Sequence, residues 1–257
     1  MKKMIAALLA ATLMAPPALA AAGQWRRIFD GRTLKGWTPK ISGRPVGDNY
    51  LDTFVVRDGA IRVSYAKYHG FDGRFGHLAY KRPLSAFRIR FDYRFTGDTL
   101  PGVADWQYSN SGLMLLGQDP ATMALDQKFP VSLEMQLLSA ERPEPTPTGN
   151  LCTPGTNVVL HGKLETTHCI ISSSPIIPNG RWVHAEALVT RDGQMAHFIN
   201  GIPVISYSAP QLDPTDGDAK PLIAAAGGKL AISSGYIYLQ SEGHPIEFRN
   251  IELMEFK

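Results

Sequence analysis

From Phe87 to Phe95 the chain reads F-R-I-R-F-D-Y-R-F, apolar and polar in strict turn. That is the period of a strand with one face buried. Val131 to Leu137 (V-S-L-E-M-Q-L) repeats it, and Trp182 to Val189 (W-V-H-A-E-A-L-V) follows it less cleanly. Gln194 to Ile199 and Ile202 to Tyr207 flank Asn200-Gly201. Asn-Gly between two strand-like runs predicts a tight hairpin. Gly235 to Gln240 and Ile246 to Phe256 complete the series. Helical periodicity is scarce, and no repeat of fixed length is visible. Many short strands split by turn residues predict an all-β sandwich or jelly roll. Two stretches break the pattern. Ala140 to Pro178 is rich in Pro, Thr, Ser and Gly and reads as a long loop beside a binding face, or else as a surface insertion. Ala209 to Gly228 reads as a solvated connection.

The beginning of the chain has a different logic. Lys2 and Lys3 precede an apolar run from Ile5 to Met14, Pro16 and Pro17 break it, and Ala18-Leu19-Ala20 has small residues at the cleavage positions. Residues 1–20 therefore predict a secretory signal peptide, too short to span a bilayer as a retained anchor, which needs roughly 20 apolar residues. The expectation is a single domain over residues 21–257 in the periplasm or outside the cell, with no membrane span after signal removal. The formal net charge of +3 includes Lys2 and Lys3, so the remainder is nearly neutral. It offers no basic field for nucleic acid. Cys152 and Cys169 are the two cysteines. In an exported protein they predict a disulfide stapling the 140–178 loop, worth ~3 kcal/mol in the chain-entropy model. A thiolate metal site is the weaker alternative, because the spacing is not C-x-x-C.

Alternation also sorts candidate chemistry. Val131, Leu133, Met135 and Leu137 share one face of their strand, and Ser132, Glu134 and Gln136 the other. Asn110 and Gly112 share a face, and a glycine there permits close ligand approach. Tyr236, Tyr238, Gln240 and Glu242 fall on one face of the next such run, with His244 just beyond and Trp106 and Tyr108 preceding Asn110. Three such strands suit a polar cleft where tyrosine and tryptophan rings stack on sugar and amides hold its hydroxyls. The same alternation would also describe a solvated surface. No G-x-S-x-G, phosphate loop or H-E-x-x-H is present, and the histidines are scattered.

The motifs, taken in order, resemble one family. Phe29-Asp30-Gly31-Arg32-Thr33-Leu34-Lys35-Gly36-Trp37 is similar to the opening of the 3-keto-disaccharide hydrolases. Asn110-Ser111-Gly112, Glu134-Met135-Gln136, His197-Phe198-Ile199-Asn200-Gly201, Gly235 to Gln240 and Phe248-Arg249-Asn250-Ile251 resemble its later strands. The resemblance implies a concanavalin-like jelly roll acting on glycosides. Two places depart from the family pattern: Leu116 stands where many members have Arg, and Leu138 where many have Asp.

A conventional glycosidase needs two carboxyl groups flanking the bond, and the central strand supplies only Glu134. A 3-keto sugar needs less. Its ketone acidifies the C2 hydrogen, one base removes it, the C1 oxygen leaves with a proton from an acid, and water adds back. The expectation is Glu134 as base, or as ligand of a divalent metal, and His244 or Glu242 as acid. Asn110, Gln136, Gln240, Tyr238 and Trp106 would bind substrate. The rivals are a non-catalytic carbohydrate-binding module, since jelly rolls host both, and a periplasmic scaffold.

Overall fold

The computed structural model describes residues 23–256. The proposed leader lies outside them. Two antiparallel sheets face each other across one apolar core, as the alternation predicts. The first sheet runs in the order Cys169–Ile170, Asn150–Cys152, Leu133–Leu138, Asn110–Gly117, Tyr236–Ser241, Gly76–Tyr80, Trp37–Ile41. The second runs Lys163–Glu165, Thr156–Leu160, Ile202–Leu212, Gln194–Ile199, Val183–Val189, Phe87–Phe95, Ile246–Glu255, Ala60–Val63, Phe54–Arg57, and Arg26–Arg27 also pairs with Ile246–Glu255. This is a jelly-roll sandwich.

The sheets bury their outer faces differently. In Phe87–Phe95 every second residue is buried and the others are half-exposed. Their Arg and Asp side chains join an ion-pair lattice on the outside of the second sheet: Arg88 with Glu186, Arg90 with Glu252, Arg94 with Glu247, and His184 and Asn250 with Asp92. In the first sheet, Asn110–Gly117 and Gly76–Tyr80 are buried at every position. Leu113, Leu115, Leu133, Met135, Leu137, Ile237 and Leu239 face the core. The polar alternates are nonetheless out of bulk water, so loops roof the far side of this sheet.

The 140–178 segment is more ordered than its composition suggests. It contributes Asn150–Cys152 and Cys169–Ile170 to the first sheet and Thr156–Leu160 and Lys163–Glu165 to the second. The disulfide forms between Cys152 and Cys169, which are direct cross-strand partners. These strands escape a pattern reading because they are two to five residues long, too short to show a period. The 209–228 stretch is likewise not a plain connection. Ile202–Leu212 continues into it, and a helix at Ala219–Ala225 starts where the Asp216 carboxylate accepts the Ala219 N–H. Leu222 and Ile223 of this helix pack on Val131 and Leu212.

Several family motifs are structural. Asp30 accepts the backbone N–H groups of Arg32 and Thr33 at 2.8 and 2.7 Å, closing the turn before Trp37. These bonds hold its carboxyl down at about 2. The Trp37 indole donates to the Ile28 carbonyl and meets Tyr80 edge-on. Asn200 and Gly201 both have positive φ, 50° and 79°, as the two central residues of a type I′ hairpin do. His197 is buried, with Nδ1 at 3.0 Å from the Gly149 carbonyl and Nε2 at 2.8 Å from the Tyr207 hydroxyl. With the 2.7 Å Tyr93–Thr148 bond, it ties the second sheet to the chain entering Asn150–Cys152. Gly149 sits at φ 73°, and a Cβ there would meet Ile199 at 3.0 Å.

His197→Leu leaves the Gly149 carbonyl and Tyr207 hydroxyl without partners and is expected to cost ~1–3 kcal/mol. Burial pulls the His197 imidazole down to about 4, below its usual 6.5. The unfolded chain therefore binds the extra proton first as pH falls. The stability tied to this neutral ring is whole above about 6.5 and is lost as pH drops towards 4. Thermal melts at pH 7 and 4.5 check both points: the variant melts lower at pH 7 and loses less between the two.

Candidate active site

On the outer face of the first sheet, the register sets Met114 beside Glu134, Gly112 beside Gln136, and Glu134 beside Cys152. Above them lies a cavity of about 420 Å³ lined by Trp106, Asn110, Phe129, Glu134, Gln136, Arg142, Cys152, Pro154, His168, Cys169 and Glu242. The sheet forms its floor. The disulfide closes one side, and Trp106, Phe129 and Arg142 come from the roofing loops.

The two carboxyls are the unusual groups. Glu134 is 6 % exposed and Glu242 2 %. Burial pushes Glu134 up to about 8. It also pushes Glu242 well above the ordinary carboxylate range, with the nearby Glu134 charge adding to the rise and Arg142 opposing it. Two buried carboxyls lining one cavity and feeling each other's charge do not both ionise near neutral pH. Near neutral pH both hold their protons, and as pH rises the first to ionise opposes the ionisation of the other. Gly112 makes room for this: a Cβ there would stand 2.4 Å from Glu134 Oε1. The close approach that a glycine permits is taken by a carboxyl of the protein itself.

Other polar groups point into the site unpaired. Asn110 gives its Nδ2 to the Trp106 carbonyl at 2.9 Å, and its Oδ1 has no partner. Arg142 reaches the Trp106 carbonyl with Nη2, leaving Nε and Nη1 free. Gln136 Oε1 accepts from Asn150 at 3.0 Å. Trp106, 48 % exposed, gives the rim an open aromatic face. Among the described residues, no three His, Cys, Asp or Glu side chains converge as a metal-binding group.

Of the residues expected from sequence, Glu134, Glu242, Asn110, Gln136 and Trp106 come together around this cavity with both cysteines. His244 does not line it. Its Nδ1 shares a 2.7 Å hydrogen bond with Thr99, its ring meets Phe95 edge-on, and burial pulls it down to about 4. The turn Glu242-Gly243-His244 carries the carboxyl to the cavity and the imidazole away. Tyr238 does not line the cavity either: it is fully buried, its hydroxyl donates to the Gln118 carbonyl, and its ring packs with Ala79 and Met114. Gln240 is buried behind the cavity wall. Phe129, Arg142 and His168 were missed, because their loops carry no period that would assign them a face.

The model of the 3-keto-alpha-glucoside-1,2-lyase-like domain matches residues 24–254. The chain belongs to this family. No curated protein sequence matches it. Among solved structures, a candidate glycosyl hydrolase from Parabacteroides distasonis is 20% identical with a TM-score of 0.53, covering 91% of this chain and 94% of its own. A protein of galectin-like fold from Bacillus subtilis is 13% identical with a TM-score of 0.52, covering 86% and 90%. The carbohydrate-binding module CBM66 of the same organism is 10% identical at a TM-score of 0.50, covering 86% and 96%. At these identities the likeness is one of fold, and it agrees with the jelly roll of this 3-keto-glucoside-lyase-like chain.

The Glu134 carboxyl yields a stability prediction. Its folded value of about 8 exceeds its unfolded value, near 4.5. The fold therefore holds the proton more tightly, and its stability is whole below about 4.5 and declines as pH rises through about 8. Glu134→Gln should raise the melting temperature at pH 8 by ~2–4 °C or more and leave it unchanged at pH 4. Calorimetric scans at the two pH values measure this.

Proposed function

We propose that this protein is exported and cleaves 3-keto-glycosides by elimination followed by hydration. The observation that carries the reading is the buried pair Glu134 and Glu242 at the floor of a cavity with an aromatic rim. The ionised member of the pair takes the C2 proton of the sugar, and the electrons pass to the C3 oxygen as an enolate. That enolate collapses back to the ketone, forms the C1=C2 double bond and expels the glycosidic oxygen, which takes a proton from the other carboxyl. Water then adds its hydroxyl at C1 and its proton at C2. Both proton transfers need a group that titrates near the working pH, which the raised value of Glu134 supplies. Glu134 lies over Gly112 and is assigned as base, and Glu242, beside Arg142, as acid. The unpaired Asn110 Oδ1 and Arg142 nitrogens are suited to sugar hydroxyls. Export is supported by the disulfide, which belongs to an oxidising compartment.

The test is release of aglycone from a 3-keto-glucoside and from its unoxidised parent, with and without chelator. Release from the keto form alone, falling by ~10²-fold or more in Glu134→Gln and in Glu242→Gln, supports the proposal, and loss with chelator adds a divalent ion to the site. Binding of both sugars without turnover of either replaces it with the binding-module reading. Gly112→Ala gives an independent check. Its Cβ collides with the Glu134 carboxyl, so turnover should fall at least tenfold although no group that touches substrate is removed. The expected change is in kcat more than in KM.

A further inference from the structure

Beyond one wall of the cavity, the same sheet face continues under cover. Gln240 and His77 are direct cross-strand partners. Gln240 lies one strand beyond Gly112 and His77 two, on the side away from Gln136, and adjacent strands are ~4.8 Å apart, so a pyranose ring over Gly112 spans the step to Gln240. Both side chains are essentially sealed from solvent, Gln240 at 0% and His77 at 1% exposure. Neither end of the Gln240 amide has a partner, nor does His77 Nε2. A single buried unpaired polar atom costs ~1–3 kcal/mol, so three in two adjacent residues need an explanation. Their lid is aromatic. Phe129 meets the His77 imidazole edge-on at 5.9 Å and Phe75 at 4.8 Å, and Phe75 stacks with Trp106 at 6.1 Å. Phe129 also lines the cavity that holds Glu134 and Glu242. It thus touches both the cavity of the carboxyl pair and the imidazole that is paired with Gln240.

We propose that His77 and Gln240 form a concealed half of the sugar site, which grips the C3 oxygen once Phe129 turns away from the sheet. The proposal rests on the keto-sugar reading above and deepens it. Placing C2 against Glu134, over Gly112, puts the neighbouring C3 oxygen towards the next strand, where the Gln240 amide waits with the His77 imidazole paired beside it one strand further on. Burial and the nearby Lys40 charge pull the His77 imidazole down to about 3, so the ring is neutral at ordinary pH. A neutral ring N–H and an amide N–H can both donate to a developing enolate oxygen without neutralising the base. Lys40 itself is occupied: its ammonium donates to the carbonyls of Ile41 and Leu125 at 3.3 and 2.9 Å, anchoring the loop that carries Phe129.

The experiment compares His77→Leu, Gln240→Leu, His77→Gln and Phe129→Ala with wild type. Calorimetric binding and turnover are measured on a 3-keto-glucoside and its parent glucoside, with melting temperatures recorded for every variant. The proposal expects each leucine variant to melt no lower than wild type, since it removes unpaired buried polar atoms, yet to lose at least tenfold in kcat/KM. His77→Gln, which keeps a donor, should recover part of that loss, and Phe129→Ala should bind the keto sugar more tightly. Turnover and binding unchanged in both leucine variants overturn it. If wild type turns over neither sugar, the lyase reading fails on its own. Binding then decides the subsite: loss of sugar affinity in the leucine variants sustains it as a sugar contact, and unchanged affinity, or no binding by wild type, overturns it.

Discussion

Glu134 and Glu242 are drawn out of water side by side, and the cause of their raised values is burial, with no hydrogen bond offsetting it. Such an arrangement relaxes unless the backbone around it is fixed, because either carboxyl would gain several kcal/mol by swinging into solvent. The fixing is visible on both sides. Glu134 is mid-strand, paired with Met114 on one edge and Cys152 on the other, and the Cys152–Cys169 bond clamps that second edge. Glu242 sits on a turn held at three successive points. Ser111 donates to the Gln240 carbonyl at 2.9 Å, Gln107 to the Glu242 carbonyl at 3.0 Å, and the Gly243 N–H to the Tyr65 hydroxyl at 2.6 Å. Behind them the sheet rests on a core in which Phe87, Phe91, Phe95 and Phe248 are fully buried. Burial of apolar surface of this kind is the dominant favourable contribution to folding. The core, the staple and the pinned turn are what allow the carboxyl pair to exist.

What was readable in the sequence follows from what has a period. Phe87 to Phe95 and Val131 to Leu137 show their faces because a strand with one apolar side imposes a two-residue repeat, and Asn200-Gly201 shows its turn because few residues tolerate positive φ. Glu134, Gln136, Asn110 and Glu242 were therefore assignable to one face. Whether that face was solvated or roofed was not, since alternation is the same in both cases. The roof comes from Trp106, Phe129 and Arg142, on loops brought together only by the folded chain. His244 shows the limit from the other side. It is two residues from Glu242, but a turn with Gly243 at φ 104° sends the two side chains apart, and nothing in the local sequence says which one faces the cavity.

The two outer faces of the sandwich carry similar residue types and opposite bookkeeping of hydrogen bonds, and this separates architecture from chemistry. On the second sheet, Arg62 and Arg94 both bind Glu247, Arg90 binds Glu252, and Asp92 takes His184, Arg249 and Asn250. The guanidiniums of Arg94 and Arg249 both lie over the Trp182 ring. Charge there is met by charge, and a ligand would have to displace partners already in place. On the first sheet the counts reverse. Asn110, Gln240, His77 and Arg142 hold polar atoms with nothing opposite, and the carboxyls beside them have no donors. A protein that only needed this face for folding would be more stable with apolar side chains there. On the function proposed above, a hydroxyl-rich ring with a carbonyl would bring the donors and acceptors that these unpaired groups lack.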